Sequence, residues 1–260
     1  MNLLDMNGPL MNALRKLANI FLCNVMFCLL SLPVITVGAS LAALFACMQA
    51  ILTDDEDDVI IKQYWYAFRQ NLAQATVIWI FCLLAAAFFG VFYLVISSMT
   101  GLLGKVYRIS FFVICILFLF GFQYLFPLQA RYKNRVVDTL KNAWLLSIAA
   151  LPWTILSILL PAFAVYLTFF MDPNGWNSAI FLWGTMGFGL VAYLNCFFFF
   201  RAFRMIDPEK MEVKTHTAPK EALFIDEEHR TTEILYQESS YSNPDWNRQI
   251  RPGRRKEDDQ

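Results

Sequence analysis

The side chains that could carry out chemistry are few in this chain, and their spacing matches no catalytic or metal-binding motif. The six cysteines form no Cys-x-x-Cys pair, and both histidines, His216 and His229, lie near the C-terminus. A nucleophile needs an adjacent base, and a metal needs several ligands at a fixed spacing. We therefore expect no enzymatic activity, no cofactor and no metal site. The cysteines occur within apolar stretches, at Cys23, Cys28, Cys47, Cys82, Cys115 and Cys196.

An acidic run, Asp54–Asp58, is the densest group of potential cation ligands in the chain. It lacks the alternate spacing, the central glycine and the distal glutamate of a calcium loop. Negative charge is favourable at the N-terminus of a helix because of the helix dipole. We therefore expect the run to cap a helix that begins near Val59 rather than to bind an ion.

Long uncharged stretches dominate the rest of the sequence, and they indicate the secondary structure on which the cysteines and the acidic run are placed. From Leu17 to Thr53 there is no Asp, Glu, Lys, Arg or His, and four further stretches of this kind follow before Arg201. The chain is 58% hydrophobic and only 16% charged, whereas an ordinary soluble domain is about 25% charged. About 20 apolar residues suffice for a helix to cross a bilayer. The sequence therefore predicts a membrane protein, with the lipid bilayer as its first partner.

The stretch from Leu17 to Thr53 would be close to twice the length of one span if it were a single helix. We expect it to fold back in the middle, where Pro33 removes a backbone donor and Gly38 tolerates a positive φ angle. The predicted fold is an all-α, polytopic bundle of about six transmembrane helices. They are placed at residues 14–32, 36–52, 75–96, 109–130, 143–170, with kinks at Pro152 and Pro161, and 178–200.

A weak repeat accompanies these six spans. The first, third and fifth each begin with a basic residue shortly before an asparagine, as in Lys16 and Asn19, Arg69 and Asn71, and Lys141 and Asn142. This pattern suits three parallel helical hairpins of the kind used in transporters.

Positive charge predicts the orientation, because short cytoplasmic loops retain Lys and Arg. With six spans and an internal N-terminus, only Lys105 and Arg108 fall on the outer side. Both termini are then cytoplasmic. We divide the chain into a membrane domain, residues 1–206, and a polar tail, residues 207–260, that we expect to be mostly disordered. The inner side receives Arg15, Lys16, Lys62, Arg69, Arg131, Lys133, Arg135, Lys141, Arg201 and Arg204.

Small residues recur every four positions on the second predicted helix, at Gly38, Ala42, Ala46 and Ala50. Such a stripe lets another helix approach closely, which is a main source of helix association in membranes. Packing within the monomer is the first interpretation, and a contact in a homo-oligomer is the second.

Polar side chains inside the uncharged stretches are the candidates for a binding site. An amide in hydrocarbon needs a hydrogen-bond partner, so these residues either join helices or line a polar cavity that receives a solute. They are Asn19, Asn24, Thr36, Asn71, Gln123, Gln129 and Asn195.

The N-terminal part of the chain resembles the YesL-like family of bacterial integral membrane proteins. The resemblance rests on Leu17-Ala18-Asn19, on Asn24, on Ser31–Ala39, on Ala42-Ala43-Leu44 and on Phe68-Arg69-Gln70-Asn71. Members of that family have no defined function and are often encoded beside carbohydrate ABC importers. The resemblance implies a plasma-membrane accessory to carbohydrate uptake or sensing, with a carbohydrate ABC transporter or a membrane sensor as partner.

Two functional hypotheses follow. In the first, the bundle is an interaction protein that docks through the small-residue stripe and a cytoplasmic basic loop, Arg131, Lys133, Arg135 and Lys141. In the second, it is a carrier or facilitator for a small neutral solute such as a sugar, with Asn19, Asn24, Gln123 and Asn195 around a cavity. A nucleic-acid partner is not indicated, because acidic residues directly follow the basic cluster Arg254-Arg255-Lys256.

Overall fold

Helices form nearly all of the chain that the structure, a computed structural model, describes, namely residues 9–56, 59–132, 134–170 and 175–204. The predicted tail, residues 207–260, lies outside the described residues. Eight α-helices follow one another as α1 Pro9–Leu30, α2 Val37–Thr53, α3 Ile60–Ser97, α4 Gly101–Arg131, α5 Val136–Ala149, α6 Leu151–Phe170, α7 Gly175–Leu182 and α8 Phe188–Phe203, with a π-helical turn, Trp183–Gly187, between α7 and α8.

Six segments in the described part of the chain are long and apolar enough to cross a membrane. The all-α fold with about six spans is therefore confirmed, and the chain is a multi-pass membrane protein. The segments are Leu10–Leu30, Val34–Thr53, Ile60–Ser97, Gly101–Arg131, Leu151–Phe169 and Ala179–Phe203.

The fold-back between α1 and α2 lies where Pro33 predicts it. A 3₁₀ turn, Val34–Thr36, follows Pro33, and the Thr36 hydroxyl donates hydrogen bonds to the carbonyl oxygens of Leu30 at 2.6 Å and of Pro33 at 2.8 Å. The bond to Leu30 satisfies a carbonyl group that the end of α1 leaves unpaired. The expectation for Gly38 is wrong, because it lies inside α2 and the positive-φ glycine of the described residues is Gly101.

Helix α2 lies at the centre of the bundle. In its most apolar window 67% of the residues are buried, against 11–28% in the other five segments. It packs against α1, α3, α4 and α8. Its small residues allow this, since each neighbour can approach close to the α2 backbone.

The hairpin of α3 and α4 is longer than the sequence predicts. Helix α3 has 38 residues and α4 has 31, with only Ser98–Thr100 between them, so that Lys105 and Arg108 belong to a helix and not to a loop. From Leu83 to Leu119 most side chains of this hairpin are exposed to the surroundings of the bundle. We call residues 83–119 the arm.

Aromatic rings hold the two helices of the arm together. Phe89 lies 5.2 Å from Phe118 and 6.2 Å from Phe111, and Tyr93 lies 5.8 Å from Phe111, measured between ring centroids. These separations lie in the favourable range for edge-to-face and offset pairs. Phe89, Phe111 and Phe118 therefore connect the two helices, while other aromatic and aliphatic side chains of the arm, such as Phe88 and Leu84, face outward.

The expected fifth span, residues 143–170, is two helices. Helix α5 ends at Ala149, Ala150 has non-helical backbone angles, and α6 begins at Leu151. Pro152 lacks the N–H that would continue the ladder. The Thr154 hydroxyl donates to the carbonyl oxygens of Ser147 at 2.9 Å and of Ala150 at 3.0 Å, so the chain breaks rather than bends. Pro161, the second expected kink, lies inside α6.

Candidate functional site

Asn24 on α1 forms the most extensive polar contact between distant parts of the chain. Its side chain is fully buried, and its Nδ2 donates to the carbonyl oxygens of Trp183 at 3.1 Å and Gly184 at 2.8 Å. Its Oδ1 accepts the backbone N–H of Gly189 at 2.8 Å. A π-helical turn interrupts the regular pattern of backbone hydrogen bonds in a helix. The Asn24 amide bonds to backbone groups at this interruption, namely two carbonyl oxygens and one N–H.

Gly189 lets α1 approach this turn. A Cβ at Gly189 would lie 3.0 Å from both the Cγ2 and the carbonyl oxygen of Ile20. Phe27 and Phe188 pack beside it with ring centroids 5.1 Å apart. The contact is therefore a close-packed joint between α1 and α8, not the wall of an open cavity.

Charged groups join the start of α1 to the end of α2. Arg15 Nε lies 3.1 Å from Glu56 Oε1, and Asn19 Nδ2 donates to Glu56 Oε2 at 3.0 Å. Lys16 Nζ lies 2.8 Å from Asp54 Oδ1, and this bond lowers the pKa of the Asp54 carboxyl below its ordinary value.

This arrangement concerns only the described part of the acidic run. Val59 occupies the N-cap position of α3, and among the described residues no side chain forms a capping hydrogen bond there. Asp54 instead ends α2 in the left-handed conformation, with φ of 56°. Asp57 and Asp58 lie outside the described residues. The described part of the run therefore pairs with α1 and does not cap α3.

Gln123 joins α4 to α6. Its Nε2 donates to the carbonyl oxygen of Thr154 at 3.2 Å, and its Oε1 accepts from the Ser157 hydroxyl at 2.8 Å. The Tyr124 hydroxyl lies 3.1 Å from Thr154 Oγ1. Six residues further along α4, Gln129 joins three helices, because its Nε2 donates to Gln74 Oε1 on α3 and its Oε1 accepts from Thr139 on α5.

Asn71 and Asn195 are placed differently from the other amides. Asn71 is fully buried on α3, and its Nδ2 donates to the carbonyl oxygen of Ala67 one turn earlier on the same helix, at 2.8 Å. Asn195 on α8 is 7% exposed, and its Oδ1 has no hydrogen-bond partner among the described residues. Asn19, Asn24 and Gln123 thus bond to three different parts of the bundle and do not meet at one place.

A buried contact that the sequence did not predict joins α1, α2 and α3. Ser40 Oγ donates to the carbonyl oxygen of Phe27 at 3.2 Å, and the Tyr64 hydroxyl donates to the carbonyl oxygen of Ser40 at 2.8 Å. Ser40 is one of several hydroxyl residues in its uncharged stretch, and Tyr64 lies beside Trp65 and Tyr66, as is common at a membrane interface. Neither residue suggests the other in the sequence, and their contact follows only from how α2 and α3 pack.

The small-residue stripe lies inside the bundle. Ala42 is 0% exposed, Ala46 2% and Ala50 9%, and Gly38 is also buried. A Cβ at Gly38 would lie 2.5 Å from the Cβ of Trp79 and 2.6 Å from the carbonyl oxygen of Ala75. The stripe therefore packs against helices of its own chain, as the first interpretation has it, and leaves no surface for a partner.

The basic loop is only partly available for contact. Arg135 and Lys141 are exposed, whereas Lys133 lies outside the described residues. The guanidinium carbon of Arg131 lies 4.7 Å from the ring centroid of Phe200, and the rings of Tyr132 and Phe203 are each 5.8 Å away. Arg131 therefore anchors the end of α4 to α8 by cation–π contacts.

The arm contains an apolar groove of about 530 Å³ between α3 and α4. This volume lies within the range of about 300–1,000 Å³ that is usual for small-molecule sites. None of the predicted polar residues belongs to it. The lining residues are Trp79, Cys82, Leu83, Ala86, Phe89, Cys115, Phe118, Leu119 and Phe122.

Metal ligands do not gather in the described part of the chain, where no three His, Cys, Asp or Glu side chains form a group suited to an ion. The fold and its contacts thus define a multi-pass helical membrane protein in which Asn24, Gln123 and Gln129 bond between helices. Residues 20–93 match the model of a family described as "Protein of unknown function, DUF624". Neither a curated protein nor a solved structure matches the chain.

Proposed function

We propose that this protein is an interaction component of the bacterial plasma membrane, with both termini cytoplasmic, that serves carbohydrate uptake or sensing through a membrane partner. The match of residues 20–93 to a family of unknown function supports a membrane protein of this general kind. The link to carbohydrate rests on the resemblance of the N-terminal signature to the YesL-like family, and the membrane partner would be a carbohydrate ABC transporter or a sensor.

The use of the intramembrane amides is the observation that carries this proposal. Asn24 bonds to the π-helical turn, Gln123 bonds to α6, and Asn19 bonds to Glu56. A carrier for a neutral solute would need such groups to converge and remain free for the solute's hydroxyls. Three of the four amides of the carrier hypothesis thus bond to different parts of the bundle, and the fourth, Asn195, keeps a carbonyl oxygen without a partner among the described residues. Because the four do not share one site, the pattern favours a docking body over a carrier.

The basic loop is the docking surface that this proposal retains, because the small-residue stripe is buried. Arg135 caps the start of α5 and Lys141 lies on the same helix, both exposed. Charged groups at the rim of an interface steer association and set specificity. A partner with an acidic cytoplasmic face would fit this surface.

Affinity purification of the full chain from mild detergent tests the proposal. The paired variant Arg135→Glu and Lys141→Glu should lose a defined membrane partner that the wild type recovers. A matched variant, Lys62→Glu with Arg204→Glu, changes two exposed cations elsewhere and should keep it. Repeated recovery of the wild type alone would contradict the proposal.

Transport by reconstituted vesicles separates the two hypotheses. The docking proposal predicts no sugar uptake by vesicles that contain the wild-type chain alone. Saturable uptake that is lost on Gln123→Leu, in a variant whose helix content is unchanged, would instead support the carrier.

A further inference from the structure

The arm carries positive charge without any acidic residue to balance it. From Val59 to Val137 the sequence has no Asp or Glu, so neither helix of the arm offers a carboxylate to Lys105 or Arg108. Both cations are exposed near the loop end of the arm. Among the described residues neither forms an ion pair, since the two ion pairs found join α1 to the end of α2.

Arg108 and the apolar groove lie on one face of α4. Cys115, a groove residue, follows Arg108 by seven positions, which returns to nearly the same side of a helix about 10 Å further along. The Arg108 Nε donates to the carbonyl oxygen of Gly104 at 3.1 Å, which directs the side chain toward the loop end. The terminal nitrogens of the guanidinium are not used by that bond and can reach a phosphate.

The groove itself suits a hydrocarbon chain. Its lining is apolar throughout, and it extends along α3 from Trp79 to Phe89, about 15 Å of helix. Leu83, Ala86 and Leu119 are exposed at its mouth, on a part of the hairpin that no other helix covers. In a membrane this mouth faces lipid tails.

We infer that the arm binds an anionic phospholipid, with an acyl chain in the groove and the phosphate held by Lys105 and Arg108. Basic groups beside a gap between membrane helices are a known mode of lipid headgroup recognition. A zwitterionic phospholipid such as phosphatidylcholine would gain the same apolar contact, but its choline cation offsets the phosphate charge and weakens the attraction to the two cations. The groove thus provides length and shape, and the two cations provide selectivity for negative charge.

Native mass spectrometry of the full chain in a neutral detergent tests this inference, with dioleoyl phosphatidylglycerol and dioleoyl phosphatidylcholine as probes. The anionic lipid should be retained more strongly, and Lys105→Gln with Arg108→Gln should reduce its retention by about fivefold for each cation removed. Lys62→Gln with Arg204→Gln, at two exposed cations outside the arm and the basic loop, is the control for lost charge and should have little effect. Equal retention of the two lipids by the wild type would overturn the inference.

The groove is tested separately from the charges. Ala86→Phe fills it, whereas Ala87→Phe adds the same ring to an exposed neighbour outside it. Only the first should abolish retention of the anionic lipid, and equal effects of both would overturn the role of the groove. With the wild type, glycerol 3-phosphate should give no thermal stabilisation while phosphatidylglycerol does. Equal stabilisation by both would indicate a site for free phosphate and contradict a lipid site.

Discussion

Asn24 on α1 and Gly189 on α8 are joined by a 2.8 Å hydrogen bond from a backbone N–H to a side-chain oxygen, although 165 positions separate them in sequence. Two further bonds from the same amide reach the carbonyl oxygens of Trp183 and Gly184. This joint holds the first and last membrane helices together at the point where the last helix departs from α-helical geometry. The proposed docking role requires a bundle that keeps its shape, and this joint is one contact that would provide it.

Asn24→Leu should therefore destabilise the bundle strongly. The substitution leaves the N–H of Gly189 and two carbonyl groups without the Asn24 amide, at a position where the side chain is fully buried. We expect a loss of about 2–4 kcal/mol. Thermal unfolding of the detergent-solubilised protein, followed by circular dichroism, measures it. A midpoint equal to that of the wild type would show that the joint does not support the fold.

Asn195→Leu should change the stability of the bundle in the opposite direction from Asn24→Leu. The buried Oδ1 of Asn195 has no hydrogen-bond partner among the described residues, so an apolar side chain of similar size removes a desolvation cost. We expect the change in stability to lie between zero and a gain of about 1 kcal/mol. The same unfolding experiment applies, and a loss as large as that of Asn24→Leu would mean that Asn195 has a functional or structural partner.

Gly38→Ala should destabilise the contact of α2 with α3. The added methyl group would lie 2.5 Å from Trp79 Cβ and 2.6 Å from a backbone oxygen, and neither can rotate away. Overpacking of this kind costs about 1–3 kcal/mol. Gly90→Ala is the matched control, because nothing lies within 4 Å of its new Cβ. It should be neutral or slightly stabilising, since alanine favours helices. Equal midpoints for the two variants would contradict the close packing.

The spans could be predicted from sequence because hydrocarbon imposes a length and a composition on each one. The fold-back at Pro33 followed from the chemistry of one residue. The role of Gly38 did not, because a helical glycine in close contact and a turn glycine have the same sequence signal. The break at Ala150 was also missed, since Pro152 permits either a kink or an interruption, and the hydroxyl of Thr154 decides between them.

The candidate site was predicted as a set of residues but not as an arrangement. An asparagine in an uncharged stretch indicates a hydrogen bond and does not name its partner. Asn24 bonds to the backbone of α8, and Asn71 bonds within its own helix. Partner choice depends on which helix faces meet, and small and apolar side chains decide that over the whole bundle.

Asp54 predicts a dependence of stability on pH. Its hydrogen bond with Lys16 lowers the pKa of the folded carboxyl, so the stabilising contribution is fully present above the ordinary carboxyl pKa. That contribution is lost as the pH falls through the lowered folded value. Asp54→Asn keeps a residue that tolerates the left-handed conformation but removes the charge. The midpoint difference between wild type and variant should therefore shrink on acidification, and a constant difference from pH 7 to pH 3 would exclude this ion pair as its cause.

The proposed orientation predicts which engineered cysteines react from outside a cell. The side of the membrane that holds most of the Lys and Arg residues is expected to be cytoplasmic. Lys141 on α5 lies on that side and should face the cytoplasm, whereas Lys105, at the loop end of the arm, lies on the other side and should face outward. In a background with the six native cysteines changed to serine, Lys105→Cys should react with a membrane-impermeant maleimide in intact cells. Lys141→Cys should react only after the membrane is opened. Labelling of Lys141→Cys in intact cells, with Lys105→Cys protected, would show that the orientation is the reverse of the proposed one. The basic loop would then lie outside the cell, where no cytoplasmic partner could reach it.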